Sequence, residues 1–131
     1  MAQASYPEDL LYHAEHDWAR IEDAEAQQAT LGITWYAQDA LGEVVFFEAP
    51  EVGRTITRGE PYAEVESVKA VSDVFAPLSG EIVEVNAALS NSPETINDDP
   101  YGEGWLVRVR LSDVSERDEL MDAKTYKSSL G

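Results

Sequence analysis

The chain has 131 residues, 44% of them hydrophobic, with 26 acidic and 9 basic side chains, a formal net charge of −17 and no cysteine. That length suits one domain with a core of its own, and the apolar fraction argues against disorder. The acidity repels nucleic acid and anionic membranes, and the lack of cysteine excludes disulfide staples, thiolate nucleophiles and cysteine-bound metals, so any redox sulfur has to come from a cofactor.

In chain order, residues 1–9 read as a loose arm. No secretory or transit signal is visible in them, and no apolar run anywhere is long enough to span a membrane, so a cytoplasmic protein of bacterial type is expected. Gln28 to Ile33 is β-prone. Thr34 is placed to N-cap a helix over Trp35 to Leu41, with Gly42 as its stop. Glu43 to Glu48 holds Val44, Val45, Phe46 and Phe47 and reads as a buried strand. Tyr62 to Val68 and Ala70 to Phe75 form the two arms of a hairpin, with Ala63 and Val65 on one face and Glu64 and Glu66 on the other. Glu81 to Asn86 is a further strand. Ala87 to Gly104 is turn-rich, yet Ile96 and Tyr101 give it residues to pack, so an ordered loop is expected. Trp105, Val107, Val109 and Leu111 alternate with Leu106, Arg108 and Arg110, the pattern of a half-buried strand. Residues 113–131 are helical in composition; Ser115 or Asp122 are the caps, and Leu120, Met121 and Tyr126 the packing residues. Gly53, Gly59 and Gly80 punctuate two related halves, which predicts a single domain over residues 1–131: a flattened β-sandwich or hybrid barrel with short helices at its edges.

The chemistry concentrates at Lys69, which the hairpin puts at its tip. Most exposed lysines are solvated charges; this one is presented on a rigid turn with valines anchoring both arms, like a handle to which something is attached. Elsewhere the signals are thin. His13 and His16 have a His-x-x-His spacing beside Asp17, but two imidazoles and a carboxylate make weak grounds for a metal site, and surface histidines are the better reading. The three tryptophans read as core. Gly102-x-Gly104 lacks the strand–turn–helix surroundings of a dinucleotide fingerprint. There is no P-loop and no hydrolase triad, and no active site of the chain's own emerges.

Glu66-Ser67-Val68-Lys69-Ala70, then Ser72-Asp73 and Ala76-Pro77-Leu78-Ser79-Gly80-Glu81, resembles the lipoylation site of the glycine cleavage system H proteins. Further matches run from about Tyr12 to Tyr126. They include Thr30-Leu31-Gly32-Ile33-Thr34, Leu41-Gly42-Glu43-Val44-Val45, Pro50-Glu51-Val52-Gly53 and Asp99-Pro100-Tyr101-Gly102-Glu103-Gly104-Trp105-Leu106. The resemblance implies a mainly β fold of the lipoyl- and biotinyl-carrier type, with a short internal helix and a C-terminal helix. It implies lipoate attached at Lys69, with Gly53 and Gly80 as the glycine frame; Glu66 sets a charge beside the target lysine for the attaching enzyme to read, and Gly80 is expected in a second turn, Pro77-Leu78-Ser79-Gly80, where a Cβ would be strained. It implies a non-catalytic, monomeric shuttle. A pyridoxal-phosphate glycine decarboxylase loads an aminomethyl group onto the arm, an aminomethyltransferase takes the carbon, and a dihydrolipoyl dehydrogenase reoxidises the dithiol. A lipoate ligase or lipoyl/octanoyltransferase supplies the arm. The family's Ser-His-Glu-Trp segment reads Glu15-His16-Asp17-Trp18 here, so Asp17 takes the place of the carboxylate near the arm, with a shorter reach; Asp73 matches a second acidic position associated with the arm's amine. Such carboxylates would hold that amine protonated, so that no lone pair is free to expel the sulfur; ordinary surface acidity is the alternative. A relay protein donating lipoyl groups to other enzymes is the main alternative function. A biotin carrier is less favoured, because Val68 and Ala70 stand where such carriers place methionines, and an unmodified adaptor stands last.

Overall fold

The computed structural model describes residues 5–23 and 27–130. Two antiparallel sheets face each other. The larger has six strands in the order β1-β2-β3-β9-β8-β5 and the smaller three in the order β4-β6-β7. In chain order, β1 is Leu11–His13, β2 Asp17–Asp23, β3 Gln28–Ile33, β4 Val44–Glu48 and β5 Thr55–Ile56; β6 is Pro61–Ser67, β7 Val71–Phe75, β8 Gly80–Val85 and β9 Val107–Leu111. The expected β-sandwich with a short internal helix and a C-terminal helix is what the chain forms, and no helix among the described residues is long and apolar enough to cross a membrane.

The internal helix α1 spans Trp35–Leu41. It starts where Thr34 Oγ1 accepts from the Ala37 amide, and it stops at Gly42, whose φ of 81° suits glycine and whose amide donates to Gln38. The turn-rich stretch is ordered around a 3-10 turn at Ala87–Ser90 and the short helix α2, Thr95–Asp98, with Ile96 and Tyr101 buried as expected. The C-terminal segment is broken rather than continuous. A 3-10 turn over Val114–Glu119 leads to Met121, which bridges Tyr12, and Asp122 then caps α3, Ala123–Ser129. Of the N-terminal arm, residues 5–7 touch the body: Ser5 and Pro7 carbonyls accept from the Tyr101 and Tyr12 hydroxyls, and Tyr6 meets Tyr126 edge-on. Residues 1–4 lie outside the described residues.

The main core lies between the sheets, built from Ala19, Leu31, Ile33, Phe47, Val65, Ile82, Val109 and their neighbours. A second cluster of Leu10, Tyr12, Trp18, Tyr101, Ala123 and Tyr126 sits on the other face of the larger sheet. Trp18 pairs in register with Gly32, and a Cβ there would come within 2.6 Å of the indole, so glycine makes room for the ring.

Two expectations change. Val45 and Phe46 are 46% and 49% exposed, because a bulge between Val44 and Phe46 breaks the alternation and only Val44 and Phe47 face inward. Leu106 takes the buried place expected of Trp105, whose half-buried ring instead lies under the Arg108 guanidinium at 4.0 Å.

Candidate functional site

β6 and β7 deliver the hairpin, and Val68, Lys69 and Ala70 form its exposed tip. Ser67 builds the turn. Its amide donates to the Ala70 carbonyl at 2.8 Å, and its hydroxyl oxygen accepts from the amides of Ala70 at 3.1 Å and Lys69 at 3.3 Å. The tip is also tied to β4, since the Val68 amide donates to the Glu43 carbonyl at 3.1 Å. Ser67 is not among the residues that the sequence reading singles out. The signal for it is nevertheless there, a short hydroxyl side chain at the head of a four-residue turn, where such side chains bond the backbone ahead of them. The Lys69 stem passes over Gly42: a Cβ there would lie 3.5 Å from Lys69 Cε.

A cleft of about 370 Å³ opens on the β7 side of the tip. Its apolar lining is Ile33, Tyr36, Leu41, Val65, Val74 and Phe75, and its polar lining Glu15, His16, Asp17 and Asp73; Ala70 and Val71 bring it up to the lysine's neighbours. Asp17 and Asp73, far apart in the chain, thus meet at one cleft. They differ in kind. Asp73 is exposed on β7, whereas Asp17 is 1% exposed at the start of β2. Burial pushes the Asp17 carboxyl up to about 7, against a smaller opposing pull from His13. The His13 ring nitrogen is 3.5 Å away, and Asp17 Oδ2 lacks a hydrogen-bond partner among the described residues. A buried carboxyl beside an apolar cleft, with one oxygen short of a hydrogen bond, is a group that a donor would satisfy.

The remaining expected site residues fall elsewhere. Glu66 is half-buried on β6, between exposed Phe46 and Val71 in register on either side. Gly80 is not in a turn beside the tip. It opens β8 in the other sheet, paired with Ile56 and Leu111, and a Cβ on it would collide with the Arg110 carbonyl oxygen. Its φ is not positive, so close approach of backbone, rather than turn torsion, demands the glycine. His13 and His16 are half-buried and bonded rather than surface groups, and no group of side chains among the described residues could hold a metal ion.

The family model described as "Glycine cleavage H-protein" matches residues 10–131. A glycine cleavage system H protein of Rubrobacter xylanophilus is 54% identical over 127 residues, covering 97% of this chain and 96% of that protein. One of Symbiobacterium thermophilum is 53% identical over 123 residues, covering 94% of each. The crystal structure of a glycine cleavage system H protein from Mycobacterium marinum superposes with a TM-score of 0.85 at 46% identity, covering 95% of this chain and 98% of that one.

Proposed function

This chain belongs to the glycine cleavage H-protein family, the non-catalytic lipoyl carriers of the glycine cleavage system, and on that footing we propose that lipoate is attached at Lys69 and that the cleft ending at Asp17 and Asp73 receives the end of the arm. The observation that carries the reading is the pairing of an exposed lysine on a rigid tip with an adjoining, largely apolar cleft that Asp17 and Asp73 also line. The apolar wall suits an aliphatic stem and a dithiolane, and the residues present fit that group. When bound, it supplies the disulfide–dithiol couple and the sulfur that carries an aminomethyl group.

The residues divide the work. Ser67 fixes the tip, so that the amine of Lys69 is offered in one place to an attaching enzyme. Glu66 gives that enzyme a charge to read, framed by Phe46 and Val71. Asp17 and Asp73 would set two carboxylates against an ammonium group, and a nearby opposite charge keeps a proton on nitrogen. Ile33, Val65 and their neighbours give the cleft its apolar lining. The partners follow from this reading: a glycine decarboxylase, an aminomethyltransferase and a dihydrolipoyl dehydrogenase, each met in turn by a monomeric shuttle, and a ligase or transferase that installs the arm. A tethered arm raises the effective concentration of its cargo at each of them.

Lipoylation in vitro followed by intact-mass analysis tests the attachment. Lys69→Arg should unfold at the wild-type temperature, gain no lipoyl mass and support no glycine decarboxylase exchange. Glu66→Gln should gain the mass severalfold more slowly with the fold intact. A lipoyl mass on Lys69→Arg overturns the site, and equal rates for Glu66→Gln and wild type overturn the reading of the charge.

A further inference from the structure

The cleft has a polar group with no role so far, the imidazole of His16. It is held firmly. Its backbone lies in the left-handed region at φ 71°, its amide donates to the His13 carbonyl at 2.9 Å, and its carbonyl accepts from the Thr34 amide at 3.0 Å. Its ring centroid is 4.5 Å from that of Tyr36, and its Nδ1 is 2.8 Å from the Tyr126 hydroxyl. Tyr126 is fixed in turn. It is fully buried, stacked on Tyr12 at 4.8 Å, and 2.9 Å from Thr34 Oγ1.

Counting hydrogens orders this chain of groups. Thr34 Oγ1 accepts from the Ala37 amide as the cap of α1. Being buried, its own O–H needs an acceptor, and among the described residues the Tyr126 oxygen is the one in reach. The Tyr126 O–H is then free to donate to His16 Nδ1. So Nδ1 turns its lone pair inward, and the single ring proton sits on Nε2. Burial also favours the neutral ring.

We propose that the Thr34–Tyr126–His16 relay fixes the imidazole as a positioning residue that shows the cleft an N–H rather than a lone pair, and so keeps an accepting base away from the arm's amine. This rests on the reading that the loaded arm lies in this cleft. The chemistry at stake is the loss of the cargo. Once the ammonium gives its proton to a base, the nitrogen lone pair can form a C=N bond while the C–S bond breaks and its electron pair leaves on sulfur; water then completes release as formaldehyde and ammonia. The other titratable groups facing the cleft are Glu15, Asp17, Tyr36 and Asp73. Transfer of the proton to a carboxylate would extinguish the ion pair that holds the amine. Transfer to an imidazole lone pair would only move the positive charge and leave the amine free.

The first measurement uses the full chain without its arm. Nitrogen-15 NMR of His16 should show the Nε2–H tautomer in wild type and a mixture in Tyr126→Phe, which keeps the stacked ring and removes the relay hydroxyl. The second follows formaldehyde release from the loaded protein across a pH series. Tyr126→Phe should release faster by on the order of tenfold, the scale of a modest general base, with a new inflection from the imidazole. Adding His16→Asn to Tyr126→Phe should return the rate to wild type; asparagine tolerates the left-handed backbone and is no base. A wild-type Nδ1–H tautomer overturns the relay whatever the arm does. The expected tautomers with equal release from wild type and Tyr126→Phe overturn the role at the arm. Failure of the underlying reading shows differently: release that ignores the pair Asp17→Asn and Asp73→Asn, with the NMR as expected, overturns the cleft as the arm's site and this role with it.

Discussion

Asp17 is a carboxyl that the fold has taken out of water, and its titration has a sign. Its ordinary value of 3.8 is raised by burial to about 7. Between those values the folded chain holds a proton that the unfolded chain has released. The contribution to stability is therefore fully present below about pH 4 and is lost as pH rises through about 7. Asp17→Asn removes the ionisation without changing the shape. Urea unfolding of the unlipoylated protein should show the Asp17→Asn variant gaining on the wild type as pH goes from 5 to 8, by on the order of a few kcal/mol at most. A wild-type profile parallel to that of the variant across this window would mean that Asp17 finds a partner which the described residues do not supply. The same substitution removes the group assigned to the arm's amine, so a gain in stability would accompany a loss in retention of cargo. That is the pattern of a residue kept for its chemistry rather than for the fold.

At the scale of elements, Gly80 shows how a sequence signal can be right in residue and wrong in reason. It reads as the turn glycine of the hairpin frame. It is instead the point where β8 crosses closest to β9, with Arg110 backbone in the space of a side chain. Gly80→Ala should therefore cost about 2–3 kcal/mol by overpacking, more than an exposed turn glycine would. The folded fraction should still accept lipoate at the wild-type rate, because the tip is held by Ser67 of the other sheet and by the Glu43 carbonyl just before β4. Equilibrium unfolding and lipoylation per folded molecule separate the two effects; a wild-type unfolding midpoint in Gly80→Ala would refute the crossing argument. β4 carries a related lesson. Four apolar residues in a row read as a buried strand, but one bulge turns Val45 and Phe46 outward, towards the same end of the molecule as exposed Val68 and Val71.

Over the whole molecule, 26 acidic against 9 basic residues make a field that reaches beyond any one contact. The few ion pairs that form are mostly exposed, such as Arg108 with Glu84 and Arg58 with Glu119, and contribute little to stability. The field acts on encounter instead. Its reach shrinks from about 30 Å to about 8 Å between 0.01 M and 0.15 M ionic strength. The apparent KM of a partner enzyme for this carrier should rise on the order of tenfold over that range, with kcat unchanged. Steady-state kinetics at a salt series gives the answer, and a flat KM would leave solubility as the purpose of the acidity.

Much of this was legible in the chain itself, because it depends on local rules. Thr34 and Gly42 bound α1 through capping and a positive φ, the hairpin arms follow from alternation on either side of Lys69, and Lys69 stands out by its place at the tip. The mainly β, two-sheet architecture follows from the same periodicities and from the family resemblance of the motifs. What only the tertiary structure decided is everything that depends on who lies opposite. The bulge in β4 belongs to the pairing of that strand with β6, and it reversed Val45 and Phe46. Asp17 and Asp73 stand out in the sequence only through the family resemblance; that one is buried and the other exposed, and that both line a single cleft, is decided by the fold. His16 and Tyr126 are 110 residues apart, and their hydrogen bond exists only because α3 folds back over β1 and its turn. Alternation and capping are read from neighbours along the chain, whereas desolvation and hydrogen-bond partnership are properties of the space into which the chain folds.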